Sequence, residues 1–325
     1  MKSKKVKLLY PFTNSTYQSF LQDMADSLVD YGIEKIEPLP IKWNVRHIAA
    51  KLHICRNFPI ISKKNALIVL GGGYIDASSF PFCFNHEIIP VLWDTWPRYW
   101  DEIVKSFKRH NVRLAFFTQK QTADFVKSKL PTVECVHLPE GIKAKKYIRP
   151  VKQLKDRPVD VLEMGRIYQS FHSQAVRSNT IVKYAQNNEL LFPTFDDLLE
   201  GLGDAKIVTC FPRCMTHPEH SGDVETLTQR YWECMLSKCI IIGHAPHELV
   251  DLLGYNPVVE VDTKGVPVQL ESIIAHINDY QDMVDKNYDA ALKYADWSKR
   301  LPSILNALAS FNYVVCISCR CDSNG

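Results

Sequence analysis

No stretch of the sequence approaches the roughly 20 consecutive apolar residues that a membrane-crossing helix needs. The best candidate, Asn65-Ala-Leu-Ile-Val-Leu70, stops at three glycines. The opening MKSKKVKLLYPF is basic, but its apolar part is too short for the core of an export signal. Glycine is scarce, with 13 residues in 325, and 18 prolines are spread along the chain. That excludes collagen-like and linker-rich designs. Internal repeats and low-complexity tracts are absent as well. Neither G-x-G-x-x-G nor G-x-x-x-x-G-K-[ST] occurs, so the common glycine-rich phosphate fingerprints are missing. The expectation is a cytoplasmic protein.

What is present is ordinary for a folded chain: 46% apolar and 23% charged residues. The length is too great for one usual core and suggests two domains of roughly 150 residues. Ten cysteines lie mostly in apolar surroundings, as in VECVHL, IVTCF and KCIII, and read as buried reduced thiols. The net charge of +3 hides an asymmetry. Residues 1–150 hold 23 Lys and Arg against 13 Asp and Glu, and the remainder holds 16 against 23. A basic first half points to an anionic partner: a membrane surface, a phosphorylated lipid or a nucleic acid. Nucleic acid is the weakest of these, because the basic residues are dispersed and no recognition motif accompanies them.

Short apolar runs alternate with amphipathic segments throughout. Strands are expected at 7–10, 66–70, 88–92 (weakened by Pro90), 112–117 and 133–138, with helices near 17–31, 97–110 and 119–129 between them. After Asp156-Arg-Pro-Val-Asp160 the pattern restarts. Strands are expected at 159–164, 190–192, 206–211, 239–242 and 258–261, and helices near 172–187, 195–202, 228–237 and 268–282, with a helical tail from 284 to 311. Runs of this kind between helical periods argue for parallel strands with crossover helices. The expected organisation is an α/β protein with a first domain over 1–150, a second over 151–311 and a tail over 312–325. In such sheets ligands bind at the carboxyl ends of the strands.

The most informative segment runs from Gly222 to Gly243, GDVETLTQRYWECMLSKCIIIG. Thr226 or Thr228 caps a helix whose start lies between two acidic residues, Glu225 and Glu233. Glu225 falls just before that helix, and Glu233 falls about one and a half turns inside it. A helix amino terminus offers free N–H groups and positive partial charge to a phosphate. A carboxylate is acceptor-only and suits a diol, so Glu233 can take a ribose and Glu225 the hydroxyls of an attached sugar. A plain surface helix with an exposed Arg230–Glu233 pair explains the same spacing.

The surrounding residues resemble the donor-binding region of GT-B glycosyltransferases, whose retaining members carry E-x7-E. Arg230, Glu233, Ile240, Pro246, Glu248 and Leu249 stand at positions matching that family's pattern. Lys238 departs from it, where the family usually has a small residue. Val161-Leu-Glu-Met-Gly-Arg166 is similar to the strand and G-R that open the family's second domain, and Val136–Ile142 resembles the segment that ends its first. The resemblance covers about residues 130–260. It implies a GT-B fold, two Rossmann-like domains facing each other across a cleft, and a donor that is a nucleotide-diphosphate sugar. Arg166 would hold the donor diphosphate. The lysine often found a few residues later is missing here, and its place would fall to His172, Arg177 or Arg213.

The implied catalytic set is Arg166, Arg213 and Glu225. The implied donor-binding set is Gly165, His217, Thr226, Leu227, Thr228, Arg230 and Glu233. On the acceptor side, Gly72 and Tyr74 follow the third apolar run, and Asp94 and Trp96 belong to the aromatic string WDTWPRYW. Aromatic faces stack on sugars, and Asp94 can orient an acceptor hydroxyl. No loop carries a D-x-D, so no metal or other cofactor is expected. Cys316-Ile-Ser-Cys-Arg-Cys321 has metal-like spacing but no clear fourth ligand nearby. The implied activity is metal-independent hexosyl transfer to a glycan or lipid-linked saccharide in surface polysaccharide synthesis, with retention. The enzyme would be cytoplasmic, in peripheral contact with the anionic inner face of the membrane. A nucleotide-sugar 2-epimerase of the same architecture and a non-catalytic glycan-binding or surface-assembly protein remain alternatives.

Overall fold

The computed structural model describes residues 3–11, 19–58, 61–63, 65–185 and 190–315. The chain divides into two compact units. One comprises residues 1–139 together with 297–325, and the other is Glu140–Asp296. The first unit thus ends at Pro139 rather than at 150, and it takes the chain back at Trp297.

In the first unit the strands are β1 (Lys4–Leu9), β2 (Glu34–Ile36), β3 (Asn65–Gly72), β4 (His86–Trp93), β5 (Leu114–Phe117) and β6 (Glu134–His137). In the second they are β7 (Val159–Glu163), β8 (Val182–Tyr184), β9 (Ala205–Cys210), β10 (Ile240–Gly243) and β11 (Val259–Glu260). The last, β12 (Tyr313–Val314), returns to the first unit. Among the described residues, the first sheet runs β12-β1-β3-β4-β5-β6, with β2 also on β1, and the second runs β11-β10-β9-β7-β8. All pairings are parallel. The fold is therefore α/β with two Rossmann-like units.

Pro90 sits inside the central strand β4, and the topology explains its tolerance. The Leu92 carbonyl accepts from Thr118 N on the β5 side. Pro90, two residues earlier, faces the same way. The β4–β5 ladder begins only at Val91–Phe116. Lacking an N–H, Pro90 cannot extend that ladder toward the start of β4, so it sits at the ladder's end and interrupts no bond within it.

Two expectations in the second unit fail. The helix expected over 172–187 is shorter, Gln169–Ala175, and the chain then forms β8 instead of a strand at 190–192. Asp160 fixes that edge. One of its carboxylate oxygens accepts from Ile181 N at 2.9 Å and the other from Lys206 Nζ at 2.6 Å. Helical periodicity could not show this long-range anchor. Arg157, in the expected domain entry, is fully buried. It donates to the carbonyls of Lys152 (3.0 Å), Ala205 (2.7 Å) and Ser237 (3.0 Å), joining the entry to the sheet.

The residues from 312 onward begin as sheet. Tyr313 donates to Glu87 Oε1 at 2.6 Å and accepts from Arg113 Nη2 at 3.1 Å, while Glu87 also holds Lys4 at 2.6 Å. The Cys316–Cys321 run lies outside the described residues. Five cysteines, Cys55, Cys83, Cys210, Cys234 and Cys239, are buried free thiols, and Cys135 and Cys214 are half-buried free thiols.

Candidate active site

The loops leaving β7, β9 and β10 emerge along one edge of the second sheet, because these three parallel strands are neighbours. Most of the residues singled out in the sequence lie on these loops or on the helix Gln229–Leu236.

That helix begins at Gln229, with Thr228 at its cap in an extended conformation. Thr228 makes no side-chain cap bond, and the first turn holds no acidic residue. The leading N–H groups are thus not claimed by a local carboxylate or hydroxyl, which suits an incoming anion. Thr226 and Leu227, just before the cap, are buried.

Glu233 is the fifth residue of this helix and is only 8% exposed, which rules out the plain surface helix. Tyr147 Oη donates to its Oε1 at 2.9 Å, and Arg230 Nε lies 3.8 Å from its Oε2. Arg230 Nη1 also donates to the carbonyl of Met164, on the turn after β7. Gly165 makes that approach possible. Its φ is +80°, and a Cβ there would stand 2.8 Å from Arg230 Nη1. Gly165, Arg230 and Glu233 are thereby brought together, with Tyr147 as an orienting donor. The carboxylate keeps lone pairs for further donors.

Glu225 is tied into a different set of bonds. Its Oε2 accepts from His247 N at 3.0 Å and from His247 Nδ1 at 2.6 Å, and its Oε1 lies 3.3 Å from His244 Nε2. The carboxylate thus sits at the start of the helix His247–Leu253. In return, Glu248 Oε2 accepts from Leu227 N at 3.3 Å. The two glutamates brace loop 222–228 against 244–248. Any sugar contact by Glu225 is made from this fixed position.

Burial opposes ionisation of Glu225, but the hydrogen bonds from His247 and His244 outweigh it, and its pKa lies below the usual carboxylate value. The Glu225 hydrogen bond and charge raise the pKa of His247. His247's contribution to bracing is fully present below its unfolded pKa of about 6.5 and fades as pH rises through the raised folded value. Glu225's contribution is present above its unfolded pKa of about 4.3 and fades as pH falls through the lowered folded value. The pair is strongest between these limits. An NMR titration should place the His247 midpoint above 6.5, and Glu225→Gln should return it to about 6.5. An identical midpoint in both proteins would contradict the assignment.

Arg166 is exposed on the turn after β7, and Arg213 opens a short helical turn after β9, half-buried. His217 follows on the same loop, with its ring stacked 6.3 Å from that of His220. His172 is committed to Glu163, the buried last residue of β7, at 2.9 Å. Burial raises the Glu163 pKa, against the opposing effect of that histidine. Lys238, the departure noted above, takes the left-handed φ of +51° that a small residue would supply. Its Nζ reaches Asp285 at 2.6 Å and lies 4.7 Å from the centroid of the Tyr288 ring. The turn geometry therefore survives the substitution.

In the first unit, Gly72 ends β3 and pairs with Trp93 at the end of β4. Tyr74 and Asp94 follow these two strand ends and are exposed. These three share one sheet edge. Trp96 does not present a stacking face, because it is buried at 3% exposure. Sequence reasoning missed Tyr147 and the Glu163–His172 pair. Tyr147 stands 86 residues from Glu233, and no local spacing links them. Among the described residues, no group of three or more His, Cys, Asp or Glu is arranged to hold a metal ion.

No protein-family model and no curated protein matches the sequence. Solved structures do match in fold. Anabaena HepE in complex with UDP and glucose aligns with a TM-score of 0.61 at 10% identity, over 94% of this chain and 100% of that one. Sucrose-phosphate synthase from Thermosynechococcus elongatus aligns at 0.60 and 11%, over 95% and 100%. An alpha-glucosyltransferase in complex with UDP aligns at 0.58 and 9%, over 94% and 100%. The chain has the GT-B fold.

Proposed function

We propose that this protein is a glycosyltransferase that moves a sugar from a nucleotide-diphosphate sugar to a glycan or lipid-linked acceptor. The observation that carries the reading is Glu233, nearly buried on a helix whose amino terminus is uncapped by side chains and oriented by Tyr147 and Arg230. A carboxylate so placed accepts two hydroxyls of a ribose, while the helix start takes the diphosphate. The shared fold supports it: HepE has been crystallised with UDP-glucose as well as with UDP and glucose.

In this reading Gly165 gives the diphosphate a close approach, and Arg166, Arg213 and His217 meet the charge that builds on it as the bond from the sugar C1 to the phosphate oxygen breaks. A new bond forms from C1 to the acceptor oxygen, and the acceptor proton leaves with the diphosphate. Electrostatic stabilisation of this kind is worth about 10²–10³ in rate per donor. Glu225 and Thr228 face the sugar, Thr226 and Leu227 support them from the core with only their backbone near the donor, and transfer proceeds with retention and without a metal. Gly72, Tyr74 and Asp94 serve the acceptor.

Incubating the intact chain with UDP-, GDP- and ADP-sugars, followed by product analysis, tests the reading. Release of nucleoside diphosphate, with slow hydrolysis when no acceptor is added, is expected. A nucleotide sugar inverted at C2 would make the chain an epimerase, and no turnover with any donor would leave it a binding protein.

A further inference from the structure

We propose that the surface around the helix Trp43–Lys51 in the first unit is a docking face for an anionic lipid bilayer. Segment 38–75 contains no Asp or Glu, but carries Lys42, Arg46, Lys51, Arg56, Lys63 and Lys64. The helix is held by its other side: Arg46, Ala49 and Ala50 are buried. Arg46 donates to the carbonyls of Leu39 and Phe80, both at 2.8 Å, which fixes the helix against the unit.

What the helix turns outward is unusual. Val45, Ile48 and Leu52 fall at i, i+3 and i+7 on one stripe. Ile48 is 57% exposed and Leu52 65%, and Trp43, Val45 and Ile54 beside them are also exposed. Single exposed apolar residues need no explanation, but several large ones within a dozen residues mark an interaction surface. Lys42, Lys51, His47, His53 and Arg56 are exposed around the same stripe.

The charge selects the partner. An apolar protein surface could meet the stripe, but it would leave uncompensated the cations of a segment that brings no acid of its own. A bilayer with anionic headgroups meets both halves, the aliphatic side chains and Trp43 entering the headgroup boundary and the cations pairing with phosphates. Lys and Arg stems also lie along the apolar surface while their heads stay in water. The face lies wholly within the first unit, and the inference does not depend on which donor the second unit takes.

Vesicle co-sedimentation of the intact chain tests it, with phosphatidylcholine alone and with phosphatidylcholine containing one-third phosphatidylglycerol. Binding should be at least tenfold stronger to the anionic vesicles, each cation at the surface contributing roughly fivefold, and should weaken with salt. Ile48→Ser/Leu52→Ser should lower it tenfold or more, as should Lys42→Glu/Lys51→Glu. Both pairs are exposed, so unchanged melting temperatures are expected. Val268→Ser, at an equally exposed apolar position in the second unit, should bind like the parent. Equal recovery on both vesicle types would overturn the proposal. So would a serine pair that binds normally, or concentration-dependent self-association that the serine pair abolishes, which would make the stripe a contact between copies. Binding to a single-stranded oligonucleotide tighter than to anionic vesicles, and indifferent to the serine pair, would assign the cations to nucleic acid instead.

Discussion

Gly243→Ala is expected to destabilise the second unit by about 2–6 kcal/mol. Gly243 ends β10 opposite Cys210 of β9. Its φ is +148°, and an added Cβ would stand 2.0 Å from the Cys210 carbonyl oxygen. That oxygen belongs to the backbone and already accepts from His244 N at 3.1 Å, so it cannot swing aside as a flexible side chain would. A glycine-only conformation costs about 1–3 kcal/mol for another residue, and overpacking adds about 1–3 kcal/mol. The sum is a large part of a usual stability of about 5–15 kcal/mol. The first consequence falls on His244 and His247, and through them on Glu225. Gly254→Ala is the internal comparison. It shares a positive φ of +74° but meets nothing within 4 Å, so only about 1–2 kcal/mol of strain is expected. Urea unfolding of both variants should separate them clearly. Similar midpoints would remove the close backbone approach from the account.

Glu233→Ala is expected to weaken donor binding about 100-fold while the fold persists. Each hydrogen bond to a charged acceptor is worth about 1.5–3 kcal/mol, so losing a ribose diol's pair amounts to about two decades in Kd at the lower end of that range. Some stability goes too, because Tyr147 Oη loses its acceptor at about 1–3 kcal/mol. Tyr147→Phe separates the two effects. It keeps the carboxylate and removes only one of its orienting bonds, so its cost in binding should be nearer tenfold than 100-fold. A Tyr147→Phe loss as large as that of Glu233→Ala would mean that the carboxylate acts on the fold and not on the nucleotide.

Much of the architecture was legible because buried parallel strands write themselves as short apolar runs, and β3, β4, β9 and β10 all fall where such runs stand. Glu233 was legible for a similar reason, since one helix fixes its distance from the cap. Features that depend on distant partners were not. The edge strand β8 has only three residues and owes its place to Asp160. The return of the chain at Trp297 and the pairing of β12 with β1 rest on the Lys4–Glu87–Arg113–Tyr313 cluster, which no local pattern announces. The E-x7-E spacing put one carboxylate on a ribose and the other on the attached sugar, but it could not show what holds each of them. The structure gives them different surroundings, with Glu225 braced by two histidines and a backbone N–H, and Glu233 held by a tyrosine and an arginine. Trp96 belonged to an aromatic string that read as a platform, and burial decided against it.

The most direct test of the donor site is a calorimetric titration of the intact chain and of Glu233→Ala with the same nucleotide sugars, beginning with UDP-glucose. The account predicts saturable binding of at least one of them to the parent chain and about 100-fold weaker binding to the variant, with both proteins folded. Binding of equal strength to the two proteins, or no binding of any nucleotide sugar to the parent, would contradict it.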